Sequence, residues 1–254
     1  MNMKRFLIIS LILVSAACQS RKYRAPENPD FLFGQAMELF QNRKFTKSAE
    51  LFRSFVFKYP LSDSVDDAQY YLAKSYKEAK QYDDAIVEYT FLITTFPASG
   101  YAGDAYLELA ECYLNKSKNV ARDTESLSEA KRYLGEFKVR FPNSSLMDKA
   151  REIELRILRL SGFKYIYIAD TYLRIGEPKS ADVYLNIAMQ EFGNDDSIAV
   201  FAKILSARSL VMKGDCHAAK AIIEELEQSK SYNDLGLKKQ FNIAKKELSK
   251  KCKE

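Results

Sequence analysis

The sequence predicts an all-α solenoid of about five helix-turn-helix repeats, finished by a C-terminal capping helix. Three observations predict it. The stretch 45–60 (FTKSAELFRSFVFKYP) returns at 82–97 (YDDAIVEYTFLITTFP), so that Phe45 matches Tyr82 and Phe52 matches Tyr89 at a constant offset of 37 residues. A fixed period of this size marks stacked supersecondary units. Upstream of each copy, apolar residues fall at helical spacing, as in Leu32, Ala36 and Leu39, or Leu72, Ala73 and Tyr76. Each copy also closes on an aromatic–proline pair, Tyr59-Pro60 and Phe96-Pro97. Proline biases the residue before it out of the α region, so the second helix of each unit ends there.

Within each unit a small residue on the first helix precedes a small residue on the second by twelve positions: Ala36 and Ser48, then Ala73 and Ala85. Small side chains let two helices approach closely, and Phe52 and Tyr89 fill the space beneath. This pattern resembles the tetratricopeptide repeat (TPR), although the tryptophan and glycine positions of that repeat are degenerate in this chain, which has no Trp.

Residues 1–17 read as a signal peptide. Lys4 and Arg5 give a positive start, and Phe6 to Val14 is too short an apolar run to span a bilayer, which takes about 20 helical residues. Ser15-Ala16-Ala17 places small residues before Cys18. A cysteine there resembles the bacterial lipoprotein box, in which the thiol is diacylated and becomes the mature N-terminus. Ser15 departs from the aliphatic residue usual in that box, and a plain secreted protein with an incidental cysteine is the alternative. In such lipoproteins an aspartate after the cysteine retains the protein in the inner membrane. Gln19 stands there instead, which implies outer-membrane delivery. Residues 18–29 form a linker, with Arg21, Lys22 and Arg24 beside the anchor and Pro26 and Pro29 favouring an extended spacer.

Residues 30–142 hold repeats 1–3. Repeat 3 begins near Gly103 and closes on Phe141-Pro142, but its small pair, Ala110 and Ala130, is twenty apart, the surplus lying in the polar stretch 116–126. Residues 143–254 hold repeats 4 and 5 with connecting and capping helices. An amphipathic helix over 148–160 is expected to end at Ser161-Gly162. The repeat pattern then restarts at Phe163, with small pairs Ala169/Ala181 and Ala207/Ala219, and Gly176 and Gly214 as inter-helix turns. Leu237, Phe241, Ala244 and Leu248 form one stripe of a terminal helix with lysines opposite, as a capping element requires.

Charge and chemistry narrow the function. Removal of residues 1–17 lowers Lys+Arg from 39 to 37 against 34 Asp+Glu, a net charge of +3 that gives no case for nucleic acid. The single histidine, His217, sits in an expected turn beside Cys216. There is no metal-ligand cluster, no Gly-rich phosphate loop and no Ser/His/Asp arrangement, so no catalytic residue and no cofactor is assigned. Three cysteines remain after Cys18. Cys112 lies on an apolar helix face, whereas Cys216 and Cys252 begin and end helices expected to run antiparallel, where an oxidising periplasm would allow them to pair.

A signal peptide, an anchor cysteine and five TPR-like units with an enlarged third repeat resemble the BamD family, the lipoproteins of the outer-membrane β-barrel assembly machine. The resemblance implies an outer-membrane protein facing the periplasm that binds the POTRA domains of a BamA-type barrel subunit and unfolded barrel precursors. It further implies a peptide groove on the first helices, formed by Phe33 and Met37 in repeat 1, Tyr70, Lys74 and Lys77 in repeat 2, and Leu107 and Glu111 in repeat 3. Lys74 and Lys77 are expected on an exposed helix face, free to meet a terminal carboxylate. A second resemblance is to periplasmic TPR scaffolds of cell-envelope and division complexes, which share the YP-x-S and FP-x-S turns at Tyr59–Ser62 and Phe96–Ser99.

Overall fold

The computed structural model describes residues 28–116 and 123–252. The signal peptide, Cys18 and most of the linker lie outside the described residues, as do 117–122 of the expected insertion. Among the described residues there are twelve helices and no strands: α1 (Pro29–Gln41), α2 (Phe45–Lys58), α3 (Val65–Glu78), α4 (Tyr82–Thr95), α5 (Ala102–Lys116), α6 (Thr124–Arg140), α7 (Met147–Arg174), α8 (Pro178–Phe192), α9 (Asp196–Lys213), α10 (Cys216–Ser229), α11 (Ser231–Asp234) and α12 (Lys238–Lys251). Helices α1 to α10 pack chiefly on their chain neighbours, as in a TPR-type solenoid, whereas the terminal α12 packs chiefly back on α9.

The small residues do what their spacing requires. Ala36, Ala73, Ala85, Ala110, Ala130, Ala169, Ala181, Ala207 and Ala219 are all buried at helix–helix contacts. Ser48 stands where the other units carry alanine, and its hydroxyl donates to the Ala36 carbonyl at 2.9 Å. Ser75 Oγ in turn donates to Tyr71 O at 2.7 Å, so both buried hydroxyls are satisfied.

The two kinds of turn also repeat. Four first helices close with the backbone N–H of the following turn reaching back five residues, Lys44 to Leu39, Gln81 to Tyr76, Glu177 to Tyr172 and Asp215 to Leu210. That bond places the preceding residue in the left-handed region. Repeats 4 and 5 supply Gly176 (φ 89°) and Gly214 (φ 86°), whereas repeats 1 and 2 force Arg43 (φ 57°) and Lys80 (φ 61°) into it. At the other ends, Ser62, Ser99 and Ser144 each follow an aromatic–proline pair, and each hydroxyl accepts from the backbone two residues on, at 3.3, 3.2 and 3.1 Å.

One expectation fails. Ser161-Gly162 does not end a helix, because α7 runs unbroken for 28 residues. Ser161 satisfies its hydroxyl within the helix by donating to Ile157 O at 2.9 Å. Gly162 is there for room: a Cβ would lie 2.3 Å from Ile198 Cδ1 and 3.0 Å from Phe192 Cβ. The glycine marks close approach of α8 and α9 rather than a chain break. The helix therefore serves both apolar clusters of the array, contributing Ile153 and Ile157 to the first and Ile166, Ala169 and Leu173 to the second.

The array ends on α12. Leu237 at its N-cap, Phe241 and Ala244 are buried, Leu248 packs against the same cluster, and Lys238, Lys239, Lys245, Lys246, Lys250 and Lys251 face solvent. Arg208 of α9 ties this helix down, reaching Glu247 Oε2 at 2.9 Å and Asp170 Oδ1 of α7 at 2.8 Å.

Candidate functional site

Tyr70, Lys74 and Lys77 fall at i, i+4 and i+7 on α3, one stripe of the helix. The other expected groove residues are Phe33 and Met37 of α1 and Leu107 and Glu111 of α5, of which Glu111 meets Lys77. The structure gives these seven residues unequal roles.

Tyr70 is buried. Its ring stacks on Tyr101 at 4.2 Å and meets Tyr71 and Tyr89 edge-on at 5.4 and 5.9 Å. Burial, with the nearby Glu108 and Asp104 charges, pushes its phenol well above the ordinary range, so it stays neutral. Leu107 is fully buried in the apolar cluster. Neither side chain is available to a peptide, which corrects the sequence expectation: the stacking of α3, α4 and α5 consumes both.

Lys77 is the third correction. Its side chain is only 14% exposed, and its Nζ donates to both Glu108 and Glu111 of α5. Glu108 also accepts from Lys149 Nζ of α7 at 2.9 Å. Burial opposes the charge on Glu108, but Lys77 and Lys149 outweigh it and hold the carboxyl below its ordinary value. Burial likewise disfavours the Lys77 cation, and the two glutamates reverse the effect and raise it. These four residues form an ion-pair network joining α3, α5 and α7.

What remains presentable is smaller. Lys74 is half-buried, with Nζ 3.4 Å from Tyr70 Oη and 5.3 Å from its ring centroid. Phe33 is half-buried, edge-on to Phe52 and Phe55 at 5.5 and 5.6 Å. Met37 is half-buried against the same cluster, and Glu111 is partly committed to Lys77.

Sequence reasoning missed Glu108 and Lys149. The signal for Glu108 was present: a lone acid inside the apolar run Tyr106–Ala110, on a helix too buried to leave a charge unpaired. Lys149 carries no such signal, because its partner lies 41 residues away.

At the far end of the array Cys216 and Cys252 form a disulfide with Cα atoms 5.6 Å apart, tying the start of α10 to the end of α12. His217, Ile223 and Leu248 line the groove between these helices. Cys112 is a buried free cysteine, and burial pushes its thiol up to about 12. Among the described residues no group of His, Cys, Asp and Glu side chains is arranged to hold a metal ion, and no helix is long and apolar enough to cross a membrane.

The repeated helix pairs define the class: an all-α, TPR-type solenoid. Residues 26–198 match the family model described as "YfiO: Outer membrane lipoprotein", and the chain belongs to that family, the BamD family. It is also similar to the outer membrane protein assembly factor BamD of Rickettsia prowazekii (strain Madrid E), 26% identical over 182 residues that cover 69% of this chain and 70% of that protein. A thermophilic TPR protein of Thermus thermophilus aligns over 85% of this chain and 98% of its own, at 17% identity and a TM-score of 0.38.

Proposed function

We propose that this chain is a lipid-anchored scaffold of outer-membrane β-barrel assembly, held in the outer membrane through Cys18 and facing the periplasm. Family membership across residues 26–198 carries the reading, supported by a relative that is itself an assembly factor. We assign the two tasks to the two parts of the array: precursor segments to repeats 1–3 (30–142), and the POTRA domains of a BamA-type barrel subunit to repeats 4 and 5 with their cap (143–254). Contacts in a solenoid run mainly between neighbours, so the two surfaces can act separately.

In the N-terminal part the peptide-facing candidates are now Phe33, Met37, Lys74 and Glu111. The apolar pair suits aromatic-rich precursor ends. Lys74 would meet a terminal carboxylate in place of Lys77, whose charge is already matched. The test is a titration with a barrel-precursor C-terminal peptide, run beside a pull-down of the barrel subunit, using Lys74→Glu. Peptide affinity should fall, most at low salt, because screening hides exposed charges beyond about 10 Å at 0.1 M. The barrel subunit should still co-purify. Loss of the subunit with peptide affinity intact would reverse the assignment of the two surfaces.

A further inference from the structure

The two ends of the array are finished differently. The C-terminal end turns lysines of α12 to solvent, the polar backing a terminal repeat requires. The N-terminal end does not. Phe31 is 61% exposed, Phe57 86% and Leu61 96%, all at the end of the α1–α2 hairpin where α1 begins and α2 finishes. Pro29, Tyr59, Pro60 and Leu61 line one surface depression there.

Comparison along the repeat shows what is unusual. One period on, Phe31 corresponds to Ala68, which is completely buried. Phe57 corresponds to Thr94 and Leu61 to Ala98. Repeat 3 has an apolar Val139 at the Phe57 position but Asn143 at the Leu61 position, so repeat 1 alone carries both large apolar side chains at this turn. Large apolar side chains left in water at one end of an array mark a contact surface.

The chain itself indicates what covers them. Cys18 lies eleven residues before Pro29, so an anchor there holds the start of α1 within about 40 Å of the lipid, even with the linker fully extended. No other folded part of the molecule is so closely leashed. The linker contributes Arg21, Lys22 and Arg24, suited to anionic headgroups. Phenylalanine and leucine side chains on one surface are what an interfacial contact buries at the headgroup–acyl boundary.

We propose that Phe31, Phe57 and Leu61 form a lipid-facing edge, which lies on the membrane entered by the anchor and fixes the tilt of the array above it. The proposal rests on the anchored reading, and its test supplies the anchor chemically so that the two can fail separately. The chain has no tryptophan, so Phe57→Trp and Leu61→Trp each report on a single position, with Thr94→Trp as the matched site one repeat on. All three positions are exposed, so the fold should accept the change. Cys112 is buried and Cys216 is bonded to Cys252, which leaves the Cys18 thiol for coupling to a maleimide phospholipid.

The chain from Cys18 onward is coupled to vesicles of phosphatidylethanolamine and phosphatidylglycerol containing phospholipid brominated in its acyl chains. Tryptophan at position 57 or 61 should shift its emission to the blue and be quenched several-fold more than tryptophan at position 94. Equal emission and quenching at all three positions, in protein that remains on the vesicles, would overturn the lipid-facing edge. The mass of the Cys18 peptide from native membranes tests the anchor independently. An unmodified Cys18 would remove the anchor without changing the vesicle result.

Discussion

Lys77 and Glu108, 31 residues apart in sequence, are ion-paired between α3 and α5 with side chains only 14% and 6% exposed. A buried pair is not strong evidence of net stabilisation, but breaking it leaves an uncompensated charge in a poor solvent for charge, at a cost of roughly 3–5 kcal/mol. Lys77→Glu, which adds a carboxylate to two already present, should lower the unfolding free energy by at least about 3 kcal/mol. Lys74→Glu should cost about 1 kcal/mol or less, the loss of a half-exposed contact with the Tyr70 ring. Urea unfolding of the two variants separates them, and equal costs would mean that the network carries no special weight.

The same pair sets an acid limit. The folded Glu108 carboxyl titrates below its ordinary value of 4.5, so the folded state binds its proton less readily than the unfolded chain does. Its contribution is therefore present above that ordinary value and is lost as pH falls through the folded one. Asp195, held down by Arg159 and two backbone N–H groups against the opposing effect of burial, acts in the same direction. Stability measured from about pH 6 downward should be flat and then decline below about pH 4.5. Glu108→Gln should be less stable at neutral pH and show a shallower decline. A parallel decline in both proteins would assign the acid sensitivity elsewhere.

Gly162 offers a test by repair. Gly162→Ala should destabilise by about 1–3 kcal/mol through overpacking, despite the better helix propensity of alanine. Its Cβ would meet Ile198 Cδ1 first. Ile198→Val removes that atom, so the double variant should recover part of the loss. If Gly162→Ala is neutral or stabilising in thermal melts, close packing is not the reason for the glycine.

The disulfide should act locally. It closes a loop with a sequence separation of 36, for which chain-entropy reasoning gives about 3–4 kcal/mol. Cys216→Ser should raise amide exchange in α10 and α12 and leave α1 to α4 unchanged. Thiol counting on the unreduced, anchored protein should find Cys112 alone, and only after unfolding. Two further thiols would reject the bridge in the native protein.

The architecture was legible in the sequence because its determinants are local and recurrent. The small pairs twelve apart, the aromatic–proline stops and the stripe of α12 are visible within one unit and then repeat. Three features were not legible for physical reasons. Ser161-Gly162 reads as a stop to local propensity, and only the approach of Ile198 and Phe192 reverses it. Lys77 reads as a solvated cation because Glu108 lies on another helix. Arg43 and Lys80 look like ordinary turn residues, yet each holds a left-handed conformation that costs a side-chain-bearing residue roughly 1–2 kcal/mol. Of the groove, sequence periodicity supplied the correct helices but could not say which side chains the neighbouring repeat would bury.

The unbroken course of α7 locks the two apolar clusters in phase. Ile157 and Ile166 occupy fixed angles on one helical screw, each addressed to a different cluster. One residue inserted between them would rotate the second set by about 100° and advance it about 1.5 Å, carrying Ala169 and Leu173 out of register with their partners. Four inserted residues would come back to within about 40°. The third repeat takes eight additional positions between Ala110 and Ala130, twenty apart where other units have twelve; part of the surplus lengthens α5 and α6 and part lies between Lys116 and Thr124, where one helix has ended and the next has not begun, so no helical phase is carried across it. Length is thus free to drift in the third repeat and quantised a few turns later.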